Sequence, residues 1–143
     1  MPEPESTGQE TWTARWAGGL ATDVSAPRGH EIRVDEPEWA GGGDTGPMPT
    51  ELLTAGLASC FCLAFAWAAG KRHVELDELV VRVKAHREPG KPRYEAYDVW
   101  VSASPRPEQM DRLLDLASRF CWVSNTLRTP PEIRYQESDD LPG

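Results

Sequence analysis

Hydrophobic and polar positions change their period along this chain, and each change marks an element. Trp12, Ala14 and Trp16 alternate with Thr13, Arg15 and Ala17 up to Gly18-Gly19. That period of two predicts a strand. Leu20, Thr22 and Val24 predict a second strand, turned back through the Gly-Gly pair. Ile32 and Val34, set among charges between His30 and Asp35, predict a third. The three form an antiparallel meander. Asp35 to Gly46 (DEPEWAGGGDTG) then reads as a loop, with Gly41-Gly42-Gly43 as its flexible part.

Alternation disappears between Gly46 and Lys71, and no charge occurs from Leu52 to Ala69. This is a helix. Pro47 and Pro49 suit its first turn, where a missing N–H loses no partner. Glu51 complements the dipole at that end, and Gly70-Lys71 reads as the C-terminal stop. A run of about 18 uncharged residues also meets the lower limit for a bilayer span. Its Gly, Ala and Ser content, and the amphipathic strands after it, favour a core helix covered by a sheet or a partner chain.

Period two returns in Leu79, Val81, Val83 and Ala85, and again in Tyr97, Val99, Val101 and Ala103. With the turn EPGKP between them, these predict a hairpin with one apolar face. Ser104 is the expected N-cap of a second helix, whose stripe is Met110, Leu113, Leu114, Ala117 and Cys121. That helix ends at Asn125 or Thr129, ahead of Pro130-Pro131. Ile133 to Tyr135 is the expected edge strand. Residues 1–9 and 137–143 read as flexible ends of a single domain.

Composition narrows the function classes. The 143 residues carry a net charge of −8, which argues against nucleic acid or an anionic membrane as partner. MPEPESTGQE has neither a basic nor an apolar signal-peptide region. Three cysteines are too few for a disulfide scaffold and fit a reducing, cytoplasmic location. The thiols are the candidate chemistry, against the competing reading of inert core cysteines. Cys60 and Cys62 lie about 200° apart on a helix, so they share no face. A metal site from Cys60, Cys62 and His73 matches no structural-zinc spacing, and neither metal nor cofactor is expected. Cys62 reads as packing, and His30 and His73 as surface residues. Trp122 either walls a site beside Cys121 or simply packs.

GPMPTELLTAGLASC, followed some sixty residues later by FCWVSNTL and preceded by RGHEIRVDEPEWAGG, resembles the OsmC/Ohr family of thiol-dependent peroxidases. The likeness runs from about Trp12 to Tyr135. It implies an α+β fold, with two strongly curved antiparallel sheets around a long central helix. It also implies an intertwined homodimer with active sites at the subunit interface. Cys60 then corresponds to the peroxidatic cysteine, Cys121 to the resolving one, and Glu51 to the family's carboxylate. The implied substrate is an organic hydroperoxide, and the implied reductant a small dithiol or lipoyl group.

One feature departs from the pattern. The more active branch carries Gly-Gly-Arg after the first strand, where this chain has Gly18-Gly19-Leu20. Arg28 is the nearest replacement and Arg15 a weaker one, which places the chain nearer the OsmC-like branch. A neighbouring Arg would favour the thiolate, and a Glu would hold that guanidinium. Glu51 and Cys60, nine residues apart, point to opposite faces of a straight helix and stand about 13–14 Å apart along it. A carboxylate serving Cys60 is therefore expected from a second subunit. Three classes remain open: a dithiol peroxidase, a thiol redox sensor without turnover, and a structural or ligand-binding dimer.

Overall fold

A computed structural model describes residues 10–141. The expected flexible segment 1–9 and the last two residues of the tail lie outside the described residues. The described residues divide into two compact units, one formed by residues 53–132 and the other by residues 10–52 and 133–141.

The first unit in chain order is built on the expected meander. Strands β1 (Thr13–Trp16), β2 (Thr22–Ser25) and β3 (Glu31–Val34) pair antiparallel in that order. The Ala17 N–H donates to the Ala21 carbonyl at 2.9 Å, closing the β1–β2 turn. Gly18 and Gly19 both take positive φ there, at 92° and 56°, which a side chain would oppose. After β3 the chain is more ordered than its glycines suggest. Asp35, only 3 % exposed, accepts hydrogen bonds from the Thr45 hydroxyl (2.6 Å) and from the N–H groups of Glu36, Gly43 and Thr45 (2.8–3.2 Å). These bonds, led by the Thr45 hydroxyl, hold its pKa down at about 2 against the opposing effect of burial. A short 3-10 turn, Glu38–Ala40, lies inside the loop. A Cβ at Gly42 would strike the Glu36 carbonyl, and one at Gly46 the Arg33 carbonyl. Close backbone approach, rather than flexibility, accounts for these two glycines.

Helix α1 spans Pro49–Lys71. Its start is capped by Glu51, whose Oε2 accepts the Met48 N–H at 2.9 Å, as the third-position acid of a capping box does. It ends at Lys71 as expected, but Gly70 does not make the stop. Gly70 is still helical, and His73 takes the left-handed position at φ 55°. Val74 N–H donates to the Ala69 carbonyl and His73 N–H to the Gly70 carbonyl, the pair of bonds of a Schellman motif.

In the second unit, β4 (Glu78–Arg87) and β5 (Tyr94–Ser104) form the predicted hairpin, with Val81 opposite Val101 and Val83 opposite Val99. Their inward side chains pack on Leu57, Phe61, Ala64, Phe65 and Ala68 of α1, together with Met110, Leu113 and Ala117. By length and composition α1 is apolar enough to cross a membrane, but this stripe is built into the unit's core. Ser104 ends β5 and caps no helix. Pro105 and Pro107 push the residues before them toward extended backbone, so α2 starts only at Met110 and runs to Phe120. The single second helix is in fact two, with α3 at Trp122–Arg128. Ile133 to Tyr135 form no strand. Pro130 and Pro131 remove two ladder donors, and Tyr135 stays exposed.

Candidate active site

The break between α2 and α3 falls on Cys121. Its backbone is extended (φ −79°, ψ 103°), making it the C-cap of one helix and the N-cap of the next. Its carbonyl accepts the Asn125 N–H at 3.0 Å and the Ser124 hydroxyl at 3.1 Å, which starts α3. Phe120, the residue before the break, lies against the Trp67 ring of α1 at 4.6 Å between centroids. Its neighbour Cys121 is completely buried in the core formed by α1 and α2.

The first N–H groups of a helix have no partner within it. Here the free N–H groups of Trp122 and Val123 stand near enough to the Cys60 thiol of α1 to favour its thiolate. The Cys121 thiol neighbours the same sulfur, in the core against which Cys60 packs. Burial pushes the Cys60 thiol up in pKa; the Val123 and Trp122 N–H groups pull it down, and Cys121 adds to the rise, leaving it above its ordinary value. Within its own unit, among the described residues, no charged side chain bears on Cys60. Both thiols are free, and Cys60 is only partly buried.

The same unit holds a cavity of about 760 Å³ that neither thiol lines. Phe61 and Ser124, the chain neighbours of Cys60 and Val123, line it with Leu57, Tyr97 and Leu127, and Arg93 and Arg128 supply its cations.

Of the residues marked in the sequence, Cys60 and Cys121 are thus brought together. Cys62 is partly buried elsewhere on α1 and takes no part in the contact. Glu51 caps its own helix, in the unit that does not hold Cys60. Arg28 is exposed in the β2–β3 turn, and Arg15 stands on β1 opposite Asp23. Trp122 contributes its backbone N–H, while its indole is more than half exposed. Among the described residues no group of three His, Cys, Asp or Glu side chains is placed to hold a metal. Pattern reading missed the two backbone donors, since N–H groups carry no sequence signal of their own. It also passed over Asn125 as a site residue; its short amide four residues past Cys121 was the available clue.

A two-sheet α+β chain with two thiols in contact, one of them favoured as its thiolate by backbone donors, defines a dithiol protein of a recognisable kind. The model of the OsmC-like protein family matches residues 41–136, and the chain belongs to that family. An OsmC-like protein of Mycoplasma pneumoniae superposes with a TM-score of 0.74 at 20% identity, covering 85% of this chain and 89% of that one. The organic hydroperoxide resistance protein OhrB of Bacillus subtilis is 26% identical, with a TM-score of 0.63 and coverage of 85% and 92%. A putative organic hydroperoxide resistance protein of Vibrio cholerae, solved with captopril in one of its active sites, is also 26% identical, with a TM-score of 0.67 over 88% of each chain. No curated protein matches the sequence.

Proposed function

We propose that this protein is a thiol-dependent peroxidase that reduces organic hydroperoxides. The contact between the Cys60 and Cys121 thiols, with two N–H groups favouring the Cys60 thiolate, carries the reading. The Cys60 thiolate attacks the distal peroxide oxygen and the O–O bond breaks. Cys60 becomes a sulfenic acid, and the alkoxide takes a proton and leaves as an alcohol. The Cys121 thiol then displaces hydroxide from the sulfenic sulfur, giving the Cys60–Cys121 disulfide and water. A small dithiol or lipoyl group returns both thiols and is itself oxidised to a disulfide. Cys121 is fully buried and Cys60 is not, so the incoming thiolate attacks Cys60 and releases Cys121. The apolar wall of Leu57, Phe61 and Leu127 supports a substrate with an organic substituent.

The setting is cytoplasmic and the working unit a homodimer. Apolar side chains left exposed on α1, Leu53 and Leu63, support burial against a second copy. In that dimer a partner carboxylate and Arg28 complete the site. One observation favours a second reading, a redox sensor with little turnover: Cys60 is raised in pKa and has no cation beside it within its unit.

Anaerobic rapid mixing with cumene hydroperoxide and dihydrolipoamide separates the two readings. Turnover that Cys60→Ser abolishes and Cys62→Ser leaves largely intact supports the peroxidase, because a hydroxyl of far higher pKa cannot replace the thiolate. A single oxidation without turnover supports the sensor. Equal loss in both variants contradicts the assignment of Cys60. Sedimentation at low micromolar concentration should give the dimer mass, and a monomer would remove the two-subunit site.

A further inference from the structure

The motif V-S-N-T-L holds a residue that the proposed chemistry does not use. Asn125 sits in the first turn of α3 and reaches back across the break. Its Nδ2 donates to the Arg119 carbonyl of α2 at 3.0 Å, and its own N–H donates to the Cys121 carbonyl. Its Oδ1 accepts the Arg128 guanidinium, which also donates to the Ser118 carbonyl at 3.0 Å. Two carbonyls left over at the end of α2 are therefore satisfied from α3. Nothing in the local sequence forces a break: FCWVSNTLR contains neither Gly nor Pro. These side chains hold the chain out of helical geometry at Cys121.

The break in turn decides what Cys60 meets. Were α2 and α3 one helix, the N–H groups of Trp122 and Val123 would bond carbonyls four residues back. With Cys121 extended they are free, and both act on the Cys60 thiol in favour of its thiolate. We propose that Asn125, supported by Arg128, is a positioning residue: it locks the α2–α3 break so that two backbone donors stabilise the Cys60 thiolate. The inference rests on reading Cys60 as the reactive thiol. Cys121 is the titratable group that bears on Cys60, and within the unit no charged side chain does. The two N–H groups are then the stabilising partners the unit supplies.

The test is the rate of iodoacetamide alkylation of Cys60 against pH, in a Cys62→Ser background, with the labelled site mapped by mass spectrometry. It needs no hydroperoxide. Loosening the break removes donors that favour the thiolate, so Asn125→Ala should move the midpoint upward by about one pH unit. The rate below the midpoint should fall about tenfold. The plateau at high pH should stay the same. Arg128→Gln, which weakens the same lock and leaves the amide, should shift the midpoint in the same direction by less. It also serves if Asn125→Ala does not fold. A lower melting temperature with an unmoved midpoint in either folded variant would reduce Asn125 to an ordinary structural residue. Label found on Cys121 in place of Cys60 would instead overturn the reading of Cys60 itself.

Discussion

Two irregular stretches of this chain are held by side chain to backbone hydrogen bonds, with opposite results. In the loop after β3, one buried carboxylate gathers three N–H groups and a hydroxyl. Those four donors end on Asp35, the N–H groups of Ala40, Gly41, Gly42 and Asp44 end on carbonyls of the same loop, and the outcome is order alone. At the α2–α3 break, Asn125 and Arg128 satisfy carbonyls and leave N–H groups unclaimed. Those donors are left to act on the Cys60 thiol. The difference lies in which half of the peptide group the side chains satisfy. A loop that uses up its donors is inert, and one that uses up its acceptors keeps donors for chemistry.

The contrast is broken most severely in the loop. Gly46→Ala would set a Cβ against the Arg33 backbone, which must move. The expected cost is about 3 kcal/mol or more, measured by urea unfolding. A cost under about 1 kcal/mol would mean that the loop adapts freely. At the break the comparable loss comes from its foundation. Leu113 is fully buried on α2, and Leu113→Ala should cost about 2–5 kcal/mol by the same measurement.

Acid should separate the two regions further. Asp35 has a folded pKa of about 2, below its ordinary 3.8. Its stabilisation is fully present above pH 4 and is lost as pH falls toward 2. Hydrogen exchange at the Gly43 and Thr45 amides should therefore accelerate over that window, while the Asn125 amide should not follow. Asp35→Asn should remove the pH dependence. Parallel acceleration in both regions would show global unfolding in place of a local release. The smallest effect is expected at Ser124, whose hydroxyl meets the Cys121 carbonyl. Ser124→Ala should cost about 0.5–1.5 kcal/mol without exposing Cys121 to alkylation. Rapid labelling of Cys121 in that variant would mean that the break depends on Ser124 more than on Asn125.

The same contrast explains what could be read from the sequence. Helix α1 and the β4–β5 hairpin were legible because burial imposes a period, or its absence, over many residues. The meander was legible through alternation and the Gly18-Gly19 turn. The break was hidden because Met110, Leu113, Leu114, Ala117 and Cys121 keep one helical stripe across it. The side-chain bonds at the break come from Ser124, Asn125 and Arg128, and they leave no periodic trace. The order of the Asp35 loop was hidden for a related reason: Asp35 and Thr45 are ten residues apart. The end of α1 at Lys71 was legible, but the left-handed turn beyond it is made by His73 and not by Gly70. His is among the side chains that tolerate that conformation. Cys60 and Cys121 were legible as candidates, but their contact depends on packing between α1 and the break.

That contact is the centre of the account, and one measurement reaches it directly. The reduced protein is treated with one equivalent of cumene hydroperoxide, quenched with an alkylating agent and digested for peptide mapping by mass spectrometry. The account predicts a peptide pair joined through Cys60 and Cys121, with Cys62 alkylated. A dominant Cys60–Cys62 bridge, or Cys60 oxidised with Cys121 still a free thiol, would contradict it.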